Sequence, residues 1–272
     1  MGRKWKICTA LCLVAMLLCS CGLLKAPTPP PTEPPQTEEP STEGPTGPTV
    51  PPNPYTPEDF TTEDGYIDCI TGESQFGIDV SYWQGDIDWQ QVKDFGIQFV
   101  IIRLGCRGYE TGNLIVDKKV YEYLEGARSV GLKIGAYFYS QAINRAEAVE
   151  EALFCLDILD GFQLDMPVVY DWEYVSADSR TGNVDARLLT DCTKAFCERI
   201  RQAGYTPMIY FNADQSHKQM FLEELTDYPF WLAMYESEMD YPYKIDMWQY
   251  TNTGTVPGID GNVDLNLYFT YE

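Results

Sequence analysis

From Phe76 onward the sequence predicts an α/β fold: an irregular, TIM-like (β/α) barrel of eight strands with about five helices. Two observations carry this. Apolar runs of strand length alternate with helical patterns through the first five strands, and three more strands follow without long helices between them. Gly96, Gly131 and Gly204 each stop a helical pattern just before a strand, as glycines past helix C-termini do. An open doubly wound sheet is the alternative, but no Gly-rich phosphate loop follows the first strand.

Taken in order, the strands fall at 76–81, 98–105, 133–140, 166–173, 206–212, 230–235, 246–251 and 263–269. Helical stretches lie near 88–95, 117–130, 144–160 and 184–203, with a short one near 215–225. Asn144 and Asp185 are placed to cap the third and fourth of these, because a short polar side chain can accept from the orphan amides of a first turn.

Strands of a parallel barrel are apolar throughout, so polar residues near one end build a site. Asp79 ends the first strand and Arg103 sits late in the second. Tyr137 and Tyr139 end the third, Asp171 and Glu173 the fourth, and Tyr210 and Asn212 the fifth. Trp231 and Tyr235 share a face of the sixth, Gln249 lies late in the seventh, and Asp264 and Asn266 lie on the eighth. Strand side chains alternate, so Asp171 and Glu173 point to one side, with Cα atoms about 6.5–7 Å apart. Two carboxylates at such a spacing can act on one bond. The chain has one histidine, His217, so acid–base chemistry falls to carboxylates. Aromatic rings at the same mouth suit the apolar faces of sugar rings, which makes Arg103, Tyr137, Tyr139, Tyr210, Trp231, Tyr235 and Gln249 candidate substrate contacts.

The formal net charge of -22 and pI of about 4.3 argue against nucleic acid, whose binding rests on cations. At the N-terminus, Arg3, Lys4 and Lys6 precede an apolar run, Ile7 to Leu18, that is short for a membrane span and fits a signal segment. The run ends in Leu18-Cys19-Ser20-Cys21-Gly22. That pattern resembles a bacterial lipoprotein signal over residues 1–20, with Cys21 as the lipidated residue. Residues 21–57 read as an extended linker, since thirteen of the eighteen prolines lie between Pro27 and Pro57. Residues 58–75 are acidic and carry no clear pattern; the barrel is expected over 76–272. Cys69, Cys106, Cys155, Cys192 and Cys197 are odd in number, which does not suggest a disulfide framework, and no Cys or His cluster suggests zinc. No metal or cofactor is expected.

Five motifs then point to a family. Gly77-Ile78-Asp79-Val80-Ser81, with Trp83-Gln84-Gly85 and Ile87-Asp88-Trp89, resembles the opening of the glycoside hydrolase family 25 muramidases. Tyr170-Asp171-Trp172-Glu173 resembles their D-x-E motif. Phe230 to Ala233, Trp248 to Thr251 and Gly258 to Asn266 resemble their closing strands, so the likeness spans about residues 76–269. The resemblance implies hydrolysis of the β-1,4 bond between N-acetylmuramic acid and N-acetylglucosamine in peptidoglycan. It also implies Glu173 as general acid, Asp171 as its partner, and Asp79 and Asp264 as supporting carboxylates. The expected partners are a peptidoglycan strand and, through Cys21, the outer face of a bacterial cell membrane; the chain is expected to act as a monomer. Attack by the substrate's own 2-acetamido group, with retention, is favoured over direct attack by water. The runner-up is a silent glycan-binding lipoprotein on the same barrel. A wall peptidase or amidase lacks its Cys/His or zinc constellation, and the chitinase-type acidic run is absent, since residues 166–169 are Met-Pro-Val-Val.

Overall fold

The computed structural model describes residues 49–235 and 238–271. The signal segment, Cys21 and the linker up to residue 48 lie outside the described residues. The described chain begins with a hairpin, β1 (Phe60–Glu63) and β2 (Tyr66–Cys69), and enters the main sheet at β3 (Glu73–Val80). Then come α1 (Trp89–Phe95), β4 (Phe99–Arg107), a short β5 (Leu114–Val116), α2 (Val120–Ser129), β6 (Lys133–Ser140) and α3 (Arg145–Leu159). The second half holds β7 (Val168–Trp172), α4 (Ala186–Gln202), β8 (Pro207–Asn212), α5 (Ala213–Lys218), β9 (Phe230–Ala233), β10 (Met247–Gly254) and β11 (Val263–Thr270).

Eight strands close a barrel in the order β3-β4-β6-β7-β8-β9-β10-β11 and back to β3, with β5 appended antiparallel to β4. The predicted barrel and its five helices are therefore present, and the short helix expected near 215–225 is α5 plus a 3-10 turn at Leu222–Glu224. One feature departs from a parallel barrel. β11 runs antiparallel to both β10 and β3, whereas the other barrel pairings are parallel. The beginning of β11, not its end, therefore reaches the mouth formed by the C-terminal ends of the other strands, and Asp264 is its second residue.

Local chemistry sets the boundaries. Asp88 caps α1 by accepting from the Gln90 and Gln91 amides at 3.1 Å. Asn144 accepts from the Glu147 amide at 3.0 Å, and Asp185 from the Leu188 amide at 2.8 Å, as the sequence suggested. Gly96 ends α1 at φ 109°, a left-handed conformation that a side chain would strain.

The barrel interior below the mouth is filled by Phe99, Ile101, Met166, Val169, Met208, Trp231 and Met247, among others. Gly77 makes room for this layer, since a Cβ there would sit 2.3 Å from the Phe99 ring. Outside the barrel, α2 and α3 pack on β4 and β6, α4 on β7 and β8, and α5 on β8. The outer face of β10 and β11 is covered instead by the chain that precedes β3. Phe60 meets Trp248 edge-on at 5.3 Å between ring centres, and Tyr55 lies 4.9 Å from Phe269. The Asn53 amide donates to Pro242 O and the Lys244 amide to Pro51 O, at 2.9 and 2.8 Å. Thus residues 50–72, read from sequence as the end of a linker and part of an unassigned segment, include the residues that pack against the outer face of β10 and β11.

Candidate active site

β7 is buried at every position, and its two faces are fixed from outside. The Tyr170 ring packs 4.7 Å from Phe196, and the Trp172 indole N–H donates to Ala142 O at 2.9 Å. With these two residues turned outward, alternation sends Val169, Asp171 and Glu173 inward. The end of the strand is clamped by two amides: Gln215 Nε2 donates to Trp172 O at 2.7 Å, and Gln141 Nε2 to Glu173 O at 2.6 Å. Glu173 stands one residue past the strand and is half-buried, while Asp171 is 6% exposed.

The other predicted acids converge on the same mouth. Asp79 lies opposite Asp264 across the β3–β11 pairing. Asp79 Oδ2 accepts from Gln249 Nε2 at 2.8 Å and from Asn266 Nδ2 at 2.9 Å. Gln249 Oε1 accepts in turn from the hydroxyls of Tyr210 and Tyr235, at 3.1 and 2.8 Å. Asp171 faces Tyr139 on one neighbouring strand and Tyr210 on the other. Asp171 Oδ1 is buried without a hydrogen-bond partner among the described residues.

Not every expected contact is available to a ligand. Trp231 is 2% exposed, with its N–H on Asn266 Oδ1 at 2.9 Å and its ring edge-on to Tyr210. It floors the site instead of lining it. Arg103 is bound to Asp117 through Nε and Nη2, both at 2.8 Å. Tyr137 and Tyr139 are half-buried, whereas Tyr235 is 50% exposed at the rim. His217 stacks beside Tyr241 and Tyr243. A cleft of about 420 Å³ opens beside Glu173, lined by Tyr174, Tyr210, Asn212, Gln215 and Tyr235 among others.

Sequence reasoning passed over Gln141, Gln215, Asp117 and Tyr82, and it took Trp83 only as part of a family motif. It noted Asn266 only by parity with Asp264. The rest gave little signal: each is a single polar or aromatic residue just beyond a strand, and its partner is far away in sequence.

The electrostatics are those of acids short of cations. Burial pushes the Asp79 carboxyl up to about 6, against the pull of the Asn266 and Gln249 amides. Burial, and then the neighbouring Asp79, push Asp264 to about 8. Asp171 is raised well above the ordinary range, first by burial and then by Glu173 and Asp79, with Arg103 acting the other way. Burial raises Glu173 as well. Four carboxyls so placed cannot all be ionised, so the mouth holds protons near neutral pH.

Comparison with known proteins identifies the family. The family model described as glycosyl hydrolases family 25 matches residues 78–259. The chain belongs to the family 25 glycosyl hydrolases. The uncharacterized protein YegX of Escherichia coli is 33% identical over 202 residues, covering 71% of this chain and 68% of YegX. The autolytic lysozyme of Clostridium acetobutylicum is 28% identical over 196 residues, 70% of this chain and 54% of that protein. Among solved structures, the modular autolysin LytC of Streptococcus pneumoniae, in complex with a synthetic peptidoglycan ligand, superposes with a TM-score of 0.65 at 24% identity. That match covers 77% of this chain but 52% of LytC, so the chain spans about half the length of that autolysin. The family 25 match begins within β3, so the hairpin and the chain before it lie outside the matched residues.

Proposed function

We propose that this family 25 hydrolase is a peptidoglycan muramidase that cuts the β-1,4 bond between N-acetylmuramic acid and N-acetylglucosamine. One observation carries the proposal. Asp171 and Glu173 sit side by side at the mouth, desolvated and without a paired cation, and Asp171 keeps one carboxyl oxygen free of protein partners. A free acceptor beside a proton donor is what a sugar with a 2-acetamido group requires. Glu173, protonated, donates to the glycosidic oxygen. Asp171 accepts the acetamido N–H and turns the carbonyl oxygen toward the anomeric carbon.

In the empty site Asp171 is the harder acid to ionise, because it is the more deeply buried and faces Glu173, Asp79 and Asp264. An N–H donor on Asp171 favours its anion, and that anion then holds the proton on Glu173. Substrate binding thus sorts the roles of the pair. Asp79 and Asp264 are assigned as supporting carboxylates. Tyr137, Tyr139, Tyr210, Tyr235 and Gln249 are assigned to the walls of the cleft, with Trp231 and Arg103 holding those walls in place.

The proposal extends to chain organisation. Residues 1–20 are a signal segment, Cys21 is lipidated, and the Pro-rich stretch that follows tethers a monomeric barrel to the outer face of the cell membrane. At about 3.1 Å per residue, an extended tether of this length reaches on the order of 100 Å. Replacing Cys21 by Ala should move the protein out of the membrane fraction and leave the rate of the isolated protein unchanged. The activity itself is tested by mass spectrometry of fragments from purified peptidoglycan. Reducing-end muramic acid is expected; reducing-end glucosamine or free peptides would overturn the assignment.

A further inference from the structure

The mouth has a second corner that the mechanism does not use. The 3-10 turn Tyr82–Gln84 follows β3 and stands at the rim. Its Tyr82 amide donates to Asp117 Oδ2 at 3.2 Å, and Asp117 is the residue that holds Arg103. Two cations stand over the Tyr82 ring: the Arg103 guanidinium at 5.0 Å and the Lys118 ammonium at 4.8 Å from its centre. Trp83 lies 4.5 Å from Tyr82 and is 72% exposed, so packing does not account for this large ring.

The cations here are not equivalent. Arg103 is committed to Asp117, and Lys119 is tied to Asp86 and Glu122 at 2.6 and 2.7 Å. Lys118 makes no ion pair among the described residues. In a chain of net charge -22, an unpaired ammonium held over an aromatic ring beside an open indole is a local exception. It creates a place where an apolar sugar face and a negative charge can be met together.

Resting on the muramidase reading, we infer that Trp83, Tyr82 and Lys118 form a subsite for a saccharide that carries a carboxylate, such as the lactyl group of a muramic acid residue. The indole takes the face of the ring and Lys118 meets the carboxylate. Asp79 and Asp117 lie on the same side of the mouth, so Lys118 is the group there that can meet an anion, and its position sets which way round the alternating glycan lies.

The test uses soluble glycan strands stripped of stem peptides, so that each muramic acid bears a free lactyl carboxylate, and the same strands after carbodiimide amidation. The wild-type protein should show a KM about three- to fivefold lower on the carboxylate strand, the scale of an exposed ion pair. Lys118→Gln should erase that preference by raising KM on the carboxylate strand alone, with kcat unchanged, and Lys118→Arg should restore it. Raising the salt from 50 to 300 mM should shrink the wild-type preference in parallel. Equal wild-type KM on the two strands would overturn this inference and leave the muramidase reading standing. So would a Lys118→Gln variant that loses equally on both. Failure of the wild-type protein to cut either strand would remove the muramidase reading and this inference with it.

Discussion

Two clusters of acids, one between α3 and the barrel and one at the mouth, serve opposite ends. In the first, Glu151 is fully buried between α3 and the barrel, yet Arg107 reaches it at 2.7 Å and Ser140 donates to it at 2.6 Å. Arg107 also binds Glu150 at 2.7 Å and Gly112 O at 2.7 Å, and Arg180 grips Glu147 through two bonds of 2.9 Å. In the second, Asp79, Asp171, Glu173 and Asp264 face one another. Their nearby guanidinium, Arg103, is taken by Asp117, and the neutral side-chain amides of Gln249 and Asn266 supply the hydrogen bonds to Asp79. The residue type is the same, and Glu151 is at least as deeply buried as Asp79 and Asp171. What differs is the supply of cations. With them, buried acids fix a loop to a helix, although burial still raises Glu151 to about 7 against the pull of Ser140 and Arg107; without them, no cation competes with a ligand for the carboxyls.

The sharpest way to break this contrast is Glu173→Gln. Volume is nearly kept while the proton donor is lost, so hydrolysis of peptidoglycan should fall by about 10²–10⁴-fold. The thermal midpoint should hold or rise, because a desolvated acid without a cation has been neutralised. Turbidity clearing and a melting curve read both quantities, and near-normal turnover would end the assignment of Glu173. The mirror experiment is Arg107→Ala. It strands Glu151 without its cation and should cost about 3–5 kcal/mol of stability, read by denaturant unfolding. A loss under about 1 kcal/mol would show that the first cluster is not the structural one.

Asp171→Asn then sharpens the assignment within the mouth. If Asp171 only raises the pKa of Glu173, losing its charge lowers that pKa. The alkaline limb of the rate profile then moves to lower pH, with a substantial rate left below it. If Asp171 orients the acetamido group, the rate falls about 10²–10³-fold at every pH. The second outcome is expected, together with retained configuration in the first-formed product by NMR. An inverted product would exclude attack by the acetamido group.

The fold and the ring of mouth residues were legible because both follow short-range rules. Period-two alternation put Asp171 and Glu173 on one side, and glycines after helices marked where strands begin. The antiparallel course of β11 was not legible, since strand direction depends on the path of the connection and not on the residues of the strand. Nor was the division of Arg103 from the acids, because its partner Asp117 lies on a short connection that reads as the start of a helix. Trp231 looked like a platform for the same reason that it is not one: its inward parity is right, but the strand's depth in the barrel cannot be read from parity. The cover that residues 50–72 give to β10 and β11 was hidden by composition. Prolines and acids signal a linker, and a few aromatics, Tyr55 and Phe60 among them, dock it.

The smallest expected effect tests the electrostatic half of the comparison directly. Asp264 is raised from an ordinary 3.8 to about 8 by burial and by Asp79. A carboxyl whose folded pKa exceeds its unfolded value binds more protons in the folded state between the two. Its stabilising contribution is complete below about pH 4 and is lost as pH rises through the folded value. Asn cannot ionise, so Asp264→Asn should match the wild-type melting point at pH 4 and exceed it increasingly up to pH 8. The mouth is open to water, so the gain at pH 8 should be on the order of 1–2 kcal/mol, about 2–8 °C for a domain of this size. Glu224 provides the opposite sign. Arg187 and Lys194 pull it down to about 2, so its contribution is complete above the unfolded value of 4.5 and fades as pH falls below it; Glu224→Gln should lower the melting point slightly at pH 8 and by less at pH 4. A melting-point difference for Asp264→Asn that stays flat from pH 4 to pH 8 would mean that Asp264 is ionised throughout. The mouth would then hold its charge without a cation, and the distinction between the two clusters would lose its basis.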